Sequence, residues 1–269
     1  MPIRSLAEAY YVLLYLGGAC VIWRTMLRPA VRQNPIPAAV APWNITSLDF
    51  LLFLWIAFTS GFLCGYGSLF VLPATISDDM KTMLATAASQ LGSLGGMWLF
   101  HVYFEKQRDP APAAPSTVGH KVLSGIATFL AVIPVVASVA WTWEQLLTAL
   151  HISYDRQPVL ETLSQAGSEA FLVVTIIFAC VGAPVVEELI FRAGIFRYTR
   201  TRLPRWVALL VTGAAFAAVH RHVASFVPLV ALSIVFSLAY ERTGNIKTTM
   251  IAHGLFNLNT ILLVAAGIV

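Results

Sequence analysis

Six polar residues in the last third of this 269-residue chain interrupt hydrophobic sequence: Glu187, Glu188, Arg192, His220, His253 and Asn257. An ionisable group at the middle of a membrane-spanning helix costs roughly 2.5–3.5 kcal/mol or more, so such residues are functional candidates by default. Glu188 and Arg192 are four apart, which on a helix puts them on one face in the favoured acid-before-base order. An ion pair there would keep Glu188 charged and fix its position. Glu187 points about 100° away and has no local counter-ion. A partly desolvated carboxylate of that kind suits a general base. Two adjacent carboxylates in different surroundings suit two different roles. The bland alternative is a snorkelling interfacial cluster, because Arg197 and Arg200 follow closely.

The histidines are weaker signals singly. His220 ends the run Gly213-Ala214-Ala215-Phe216-Ala217-Ala218-Val219, whose small residues let neighbouring helices approach closely. Arg221 and His222 follow it, so an interfacial role competes with a chemical one. His253 and Asn257 stand one helical turn apart on one face. Both can donate hydrogen bonds, as stabilising a developing oxyanion requires. A plain interhelical polar clamp fits the same spacing.

The elements that must position these groups are hydrophobic helices. The chain is 58% hydrophobic and only 11% charged, against roughly 25% charged in an ordinary soluble domain. This predicts an all-α, polytopic membrane protein with the lipid bilayer as its surroundings. At about 20 apolar residues per crossing, about eight transmembrane helices are predicted, near 7–26, 48–72, 83–104, 119–142, 166–186, 205–221, 224–240 and 247–267. Proline-rich connectors hold Pro29, Pro35, Pro37 and Pro42, and Pro110 to Pro115. Trp143–Leu150 is read as a short interfacial helix. The first apolar run, Ala9–Trp23, ends without a small-x-small cleavage site and is read as retained. No repeat or soluble domain is visible. Residues 1–164 are read as variable N-terminal helices and 165–269 as the chemistry-bearing helices of one membrane domain.

Charge orients the bundle. Arg24, Arg28, Arg32, Lys106, Arg108, Lys121, Arg197, Arg200, Arg202, Arg205, Arg242 and Lys247 fall in one set of alternate loops. The other set has Arg4, Lys81, Arg156 and Arg221. The richer side is expected to be cytoplasmic, with both termini outside. The net charge of +4 includes no dense basic stripe, so no nucleic-acid partner is expected. Cys20, Cys64 and Cys180 lie in apolar runs and are read as small buried hydrophobes. Asn44-Ile45-Thr46 is a glycosylation sequon, a weak pattern alone. Asp49 and His101 are read as interfacial.

Taken together, Glu187-Glu188-x-x-x-Arg192, Phe216-x-x-x-His220 and His253-x-x-x-Asn257 on successive hydrophobic segments resemble the CAAX-protease and bacteriocin-processing (Abi) family. That family includes the Ras-converting type of prenyl-protein endopeptidase. The resemblance covers roughly residues 165–267. It implies an eight-helix intramembrane glutamic peptidase of the cell membrane, cleaving a peptide or protein substrate near the cytoplasmic face. Some such substrates are lipid-modified. It further implies that Glu187 and His220 bind and activate water, while His253 and Asn257 stabilise the oxyanion. Glu188 and Arg192 would organise the site, or Arg192 would receive a substrate carboxylate. No cofactor is implied. Two rivals stand beside this reading. One is a zinc peptidase using Glu187, His220 and His253, although no H-E-x-x-H helix is present. The other is a non-enzymatic immunity or adaptor protein.

Overall fold

The computed structural model describes residues 2–33, 38–105, 117–152 and 169–267. Among them there is no strand, and these residues form eight helical rods. The first, α1 (Pro2–Ile22), continues through a π-helical turn (Trp23–Leu27) and a bend at Arg28 into a short helix (Pro29–Gln33). Next come α2 (Ser47–Val71), α3 (Asp78–Phe100, prolonged by a π turn at His101–Glu105) and α4 (Val118–Ala149). The fifth rod, α5, is composite. Its α-helical pieces Glu169–Ile177, Ala183–Glu188 and Arg197–Arg202 alternate with π-helical pieces Phe178–Gly182 and Leu189–Phe196. The last three are α6 (Arg205–Val219), α7 (Val223–Thr243) and α8 (Ile246–Ala265).

Local sequence explains several boundaries. Thr46 and Asp49 form a reciprocal capping box that starts α2, and Ser77, Thr117 and Asn245 cap α3, α4 and α8 through their side chains. Gly244, at φ +61°, closes α7 in the left-handed conformation that glycine adopts without strain.

Six rods are long and apolar enough to cross a bilayer; α3 lies outside that set, and α6 is a shorter apolar helix. The expected all-α membrane bundle is therefore found. Three local readings need correction. Trp143–Leu150 is not a separate interfacial helix, because α4 runs on to Ala149 and the Trp143 indole donates to the Val223 carbonyl at 3.0 Å. The fifth rod does not end near 186 but carries on to Arg202, since π turns, not a loop, absorb its irregularity. Cys20 and Cys64 are exposed free thiols on the bundle's outer surface instead of buried hydrophobes, whereas Cys180 is partly buried. Pro29 begins a helix, a position where its missing N–H is harmless. Pro35, Pro37, Pro110 to Pro115, Lys106, Arg108 and Arg156 lie outside the described residues.

The rods pack as α1 on α4, α2 on α3, α4 on α7 and α8, and α6 on α7, with α5 set against α8 and α6. Phe53, Phe100, Phe191, Phe216 and Phe236 share one buried core. The basic residues gather at one end. Glu241 accepts from Arg200 and Arg205, each at 2.7 Å. Arg242 donates to the Thr25 carbonyl at 3.0 Å and Arg197 to the Ala41 carbonyl at 2.8 Å, while Arg202 bonds the Trp43 and Ile45 carbonyls. The ends of α1, α5 and α7, the start of α6 and the connector before α2 are thereby tied together.

Candidate active site

The two glutamates sit at the end of the short α piece Ala183–Glu188, between the two π turns of α5. π turns widen a helix locally and are frequent at functional sites. Here α8 supplies a reason for the first of them. The Asn257 amide donates to the Ala179 carbonyl at 2.7 Å. One turn earlier Gly254 lies so close to the Cys180 carbonyl that a Cβ there would collide with it. Glycine at 254 is thus what lets α8 reach the irregular stretch of α5, and the asparagine occupies a backbone acceptor there.

Glu188 and Arg192 form the expected one-turn pair, Nη1 to Oε1 at 2.8 Å, with both side chains fully buried. The same Oε1 meets His253 Nδ1 at 2.9 Å. Thr249 sits beside the Glu188 carboxylate, one turn before His253 on the same face of α8. The guanidinium lies over two aromatic faces, 4.6 Å from the Phe216 centroid and 5.2 Å from that of Phe236. Its Nε and Nη2 have no hydrogen-bond partner among the described residues. Removing one member of such a pair would leave a buried charge uncompensated, at about 3–5 kcal/mol.

Glu187 occupies different ground. Its side chain is 27% exposed, and Oε2 lies 3.8 Å from His253 Nε2. That oxygen is itself buried and without a hydrogen-bond partner among the described residues. His253 therefore stands between the two carboxylates, bonded to the locked one through Nδ1 and turned towards the freer one through Nε2. It packs against Phe236, ring centroids 5.3 Å apart, and Phe216, 6.0 Å apart.

His220 is one aromatic ring further out. It caps α6, is exposed, and its Nδ1 lies 2.8 Å from the Phe216 carbonyl. Donation there would leave Nε2 as the lone-pair nitrogen. Arg221 turns the chain immediately afterwards in the left-handed region, at φ +53°. Among the described residues no hydrogen bond or ion pair joins His220 to Glu187, Glu188 or His253. Phe216 connects the two histidines instead, with ring centroids 4.9 Å from His220. The described residues contain no group of three His, Cys, Asp or Glu side chains arranged to hold a metal ion. The Glu187–His220–His253 donor set does not converge.

The structure thus brings together Glu187, Glu188, Arg192 and His253, aims Asn257 at the same stretch of α5, and leaves His220 at the rim. Sequence reasoning missed Thr249, and it missed Phe216 and Phe236 as the aromatic walls of the charged cluster. The spacing Thr249-x-x-x-His253-x-x-x-Asn257 could have shown the first, because all three fall on one helical stripe. No pattern marks Phe236, whose place depends on the packing of α7.

Fold and site together define an all-α polytopic membrane protein with a histidine held between two carboxylates in its helical core. Residues 169–259 match the family model described as Type II CAAX prenyl endopeptidase Rce1-like, a peptidase family, and the matched region contains all six candidate residues. No curated protein and no solved structure matches the chain.

Proposed function

We propose that this protein is an intramembrane endopeptidase in which Glu187 activates water and His253 stabilises the oxyanion. Residues 165–269 would be the catalytic part and 1–164 their membrane scaffold. The observation that carries the reading is the position of His253, 2.9 Å from Glu188 through Nδ1 and 3.8 Å from Glu187 through Nε2. Amide hydrolysis needs a base for the attacking water and a donor for the carbonyl oxygen as it becomes negative. Glu187, partly exposed, can meet water. His253 in this scheme is an imidazolium that gives its Nδ1 proton to Glu188. Once Glu187 has taken the water's proton it no longer competes for the Nε2 proton, and Nε2–H is then free to bind the oxyanion. Glu187 passes its proton to the departing amine as the C–N bond breaks. The Nε2–H donor is stronger for the transition state than for the ground state, as catalysis requires. Glu188, locked by Arg192, holds the imidazole in orientation and balances its charge. Asn257 gives one N–H to Ala179 and, being a primary amide, keeps a second for the oxyanion. His220, with Nδ1 turned to its own helix, offers Nε2 to the same water from the rim. Arg192, fully buried beneath two rings, serves as a positioning residue in this scheme and not as a receptor for a substrate carboxylate. The basic end faces the cytoplasm in this reading, so a reporter placed between Thr199 and Leu203 reads inside.

Purified protein given a prenylated CAAX reporter peptide and its unprenylated twin should cleave the prenylated one. Glu187→Gln keeps the side chain's shape and removes the base. It should lower kcat by about 10²–10⁴-fold with an unchanged unfolding midpoint, and exhaustive chelation should leave the parent active. Undiminished cleavage by Glu187→Gln, or activity lost with a bound metal, refutes the mechanism. Equal cleavage of both peptides refutes the prenyl preference alone.

A further inference from the structure

The arginines of the basic end fall into two groups. Arg197, Arg200, Arg202, Arg205 and Arg242 all bond a carbonyl or carboxylate of the protein. Glu241, the carboxylate set among them, has both oxygens taken. Arg24 and Arg28 differ. Both are exposed, as is Arg32 one turn further on, and no ion pair or side-chain hydrogen bond holds any of the three among the described residues. Arg24 and Arg28 rim one shallow, open groove along a single face of the first rod, whose other lining residues are Leu16, Ala19, Cys20 and Trp23.

We infer that this groove binds an anionic phospholipid, its phosphate on Arg24 and Arg28 and one acyl chain along Leu16, Cys20 and Trp23. Leu16, Cys20, Arg24 and Arg28 recur every four residues, so an apolar stripe leads up to two guanidinium groups. An amphiphile with a single anionic head has the same order of properties. The head site is held in place from behind. The π turn Trp23–Leu27 is fastened to the bundle where Arg242 of α7 donates to the Thr25 carbonyl at 3.0 Å, and at Arg28 the backbone turns extended, with ψ 142°. Trp23, 59% exposed, immediately precedes Arg24, and an indole favours the headgroup boundary. Guanidinium is the cation best matched to a phosphate, which it can meet through paired N–H donors. Below the arginines, α1 packs chiefly on α4 and leaves Leu13 and Leu16 open to lipid at 69% and 56% exposure. The chain of a bound lipid would therefore meet hydrocarbon-facing surface along its length.

The test does not depend on peptidase activity. Purified full-length protein in neutral detergent is mixed with equimolar phosphatidylglycerol and phosphatidylcholine, and retained lipid is counted by native mass spectrometry. Phosphatidylglycerol should be retained preferentially. Arg24→Gln/Arg28→Gln should reduce that preference by about thirty-fold, the attraction expected of two basic residues near an anionic headgroup. Arg24→Lys/Arg28→Lys, which keeps the charge, should retain most of it. Lys247→Gln, which removes an exposed cation from the same end but not from the groove, should leave it unchanged. Glycerol phosphate, a head without a chain, should compete weakly. Equal retention of the two lipids by the parent overturns the proposal. So does a Lys247→Gln variant that loses as much preference as the arginine pair, because the attraction would then be diffuse. If glycerol phosphate competes as well as the lipid, the groove takes free phosphate and the acyl-chain assignment falls.

Discussion

Two helical regions of this protein solve one problem differently. In the α2–α3 hairpin the helices meet through Gly61, Gly65, Gly92 and Gly96 set against Ser60, Cys64, Ser89 and Ser93. No ion pair crosses that interface among the described residues. In the α5–α8 region the contacts include a fully buried Glu188–Arg192 pair, a histidine between two carboxylates, and an asparagine on a helix carbonyl. Lipid offers no hydrophobic drive for helix association, so close van der Waals approach and polar contacts must supply it. The hairpin needs only the first. The α5–α8 region carries charged groups that close packing does not require, and their cost in the membrane argues that they are kept for chemistry.

The largest effect should come from splitting the buried pair. Glu188→Gln leaves Arg192 charged, buried and without its carboxylate, and should lower unfolding free energy by about 3–5 kcal/mol. Replacing both partners with apolar residues of similar volume, Glu188→Met with Arg192→Met, should restore much of that loss yet yield no activity. Chemical unfolding of both variants in one detergent, beside turnover, decides it. If the double variant is no more stable than Glu188→Gln, the pair is a net stabiliser and the contrast with the hairpin weakens.

Asn257 comes next, because it joins structure to chemistry. As an oxyanion donor its loss should lower kcat by about 10²–10³-fold with KM nearly unchanged. As a bond to the Ala179 carbonyl its loss should also cost about 0.5–1.5 kcal/mol. Asn257→Ala should show both. A fall in stability with kcat per folded molecule intact would make it a clamp only.

Legibility followed the range of the interaction. The Glu188–Arg192 pair was readable because both ends lie on one helical turn, and the shared outlook of His253 and Asn257 for the same reason. The expectation that Glu187 points away from its neighbour held only in part. It lacks the arginine, yet His253 of α8 comes within 3.8 Å of it. The π turns of α5 were not readable, because what holds the first of them, the Asn257 amide and the close approach at Gly254, comes from a helix some 75 residues later in sequence. Trp143–Leu150 looked interfacial since its polar residues break the hydrophobic run, but the Trp143 bond to Val223 joins that stretch to the bundle. The hairpin's small residues are plain in the sequence, yet only packing shows which of them face the partner helix.

The smallest effect expected is also the most local test of the hairpin. Gly95 and Gly96 are adjacent in α3 and chemically identical. A Cβ at Gly95 would meet nothing within 4 Å, whereas one at Gly96 would collide with Ser60 Oγ and come within 3.0 Å of the Ile56 carbonyl. A backbone carbonyl cannot rotate away as a side chain can, so α2 must move. Gly96→Val should therefore cost about 1–3 kcal/mol, the usual range for overpacking a close contact. Gly95→Ala should be neutral or stabilising by up to about 1 kcal/mol, because alanine has the better helix propensity. Neither should change kcat per folded molecule, since a Cβ at Gly95 meets nothing and one at Gly96 meets α2, not a carboxylate. The measurement is the unfolding midpoint of each variant beside the parent, with turnover normalised to folded protein. If Gly96→Val is as stable as the parent, α2 and α3 are not held by close approach. If it instead loses turnover without losing stability, the hairpin is mechanically coupled to the site, through Phe53 against Gly194 of α5 or Gln90 against Gly182, and the division between the two regions fails.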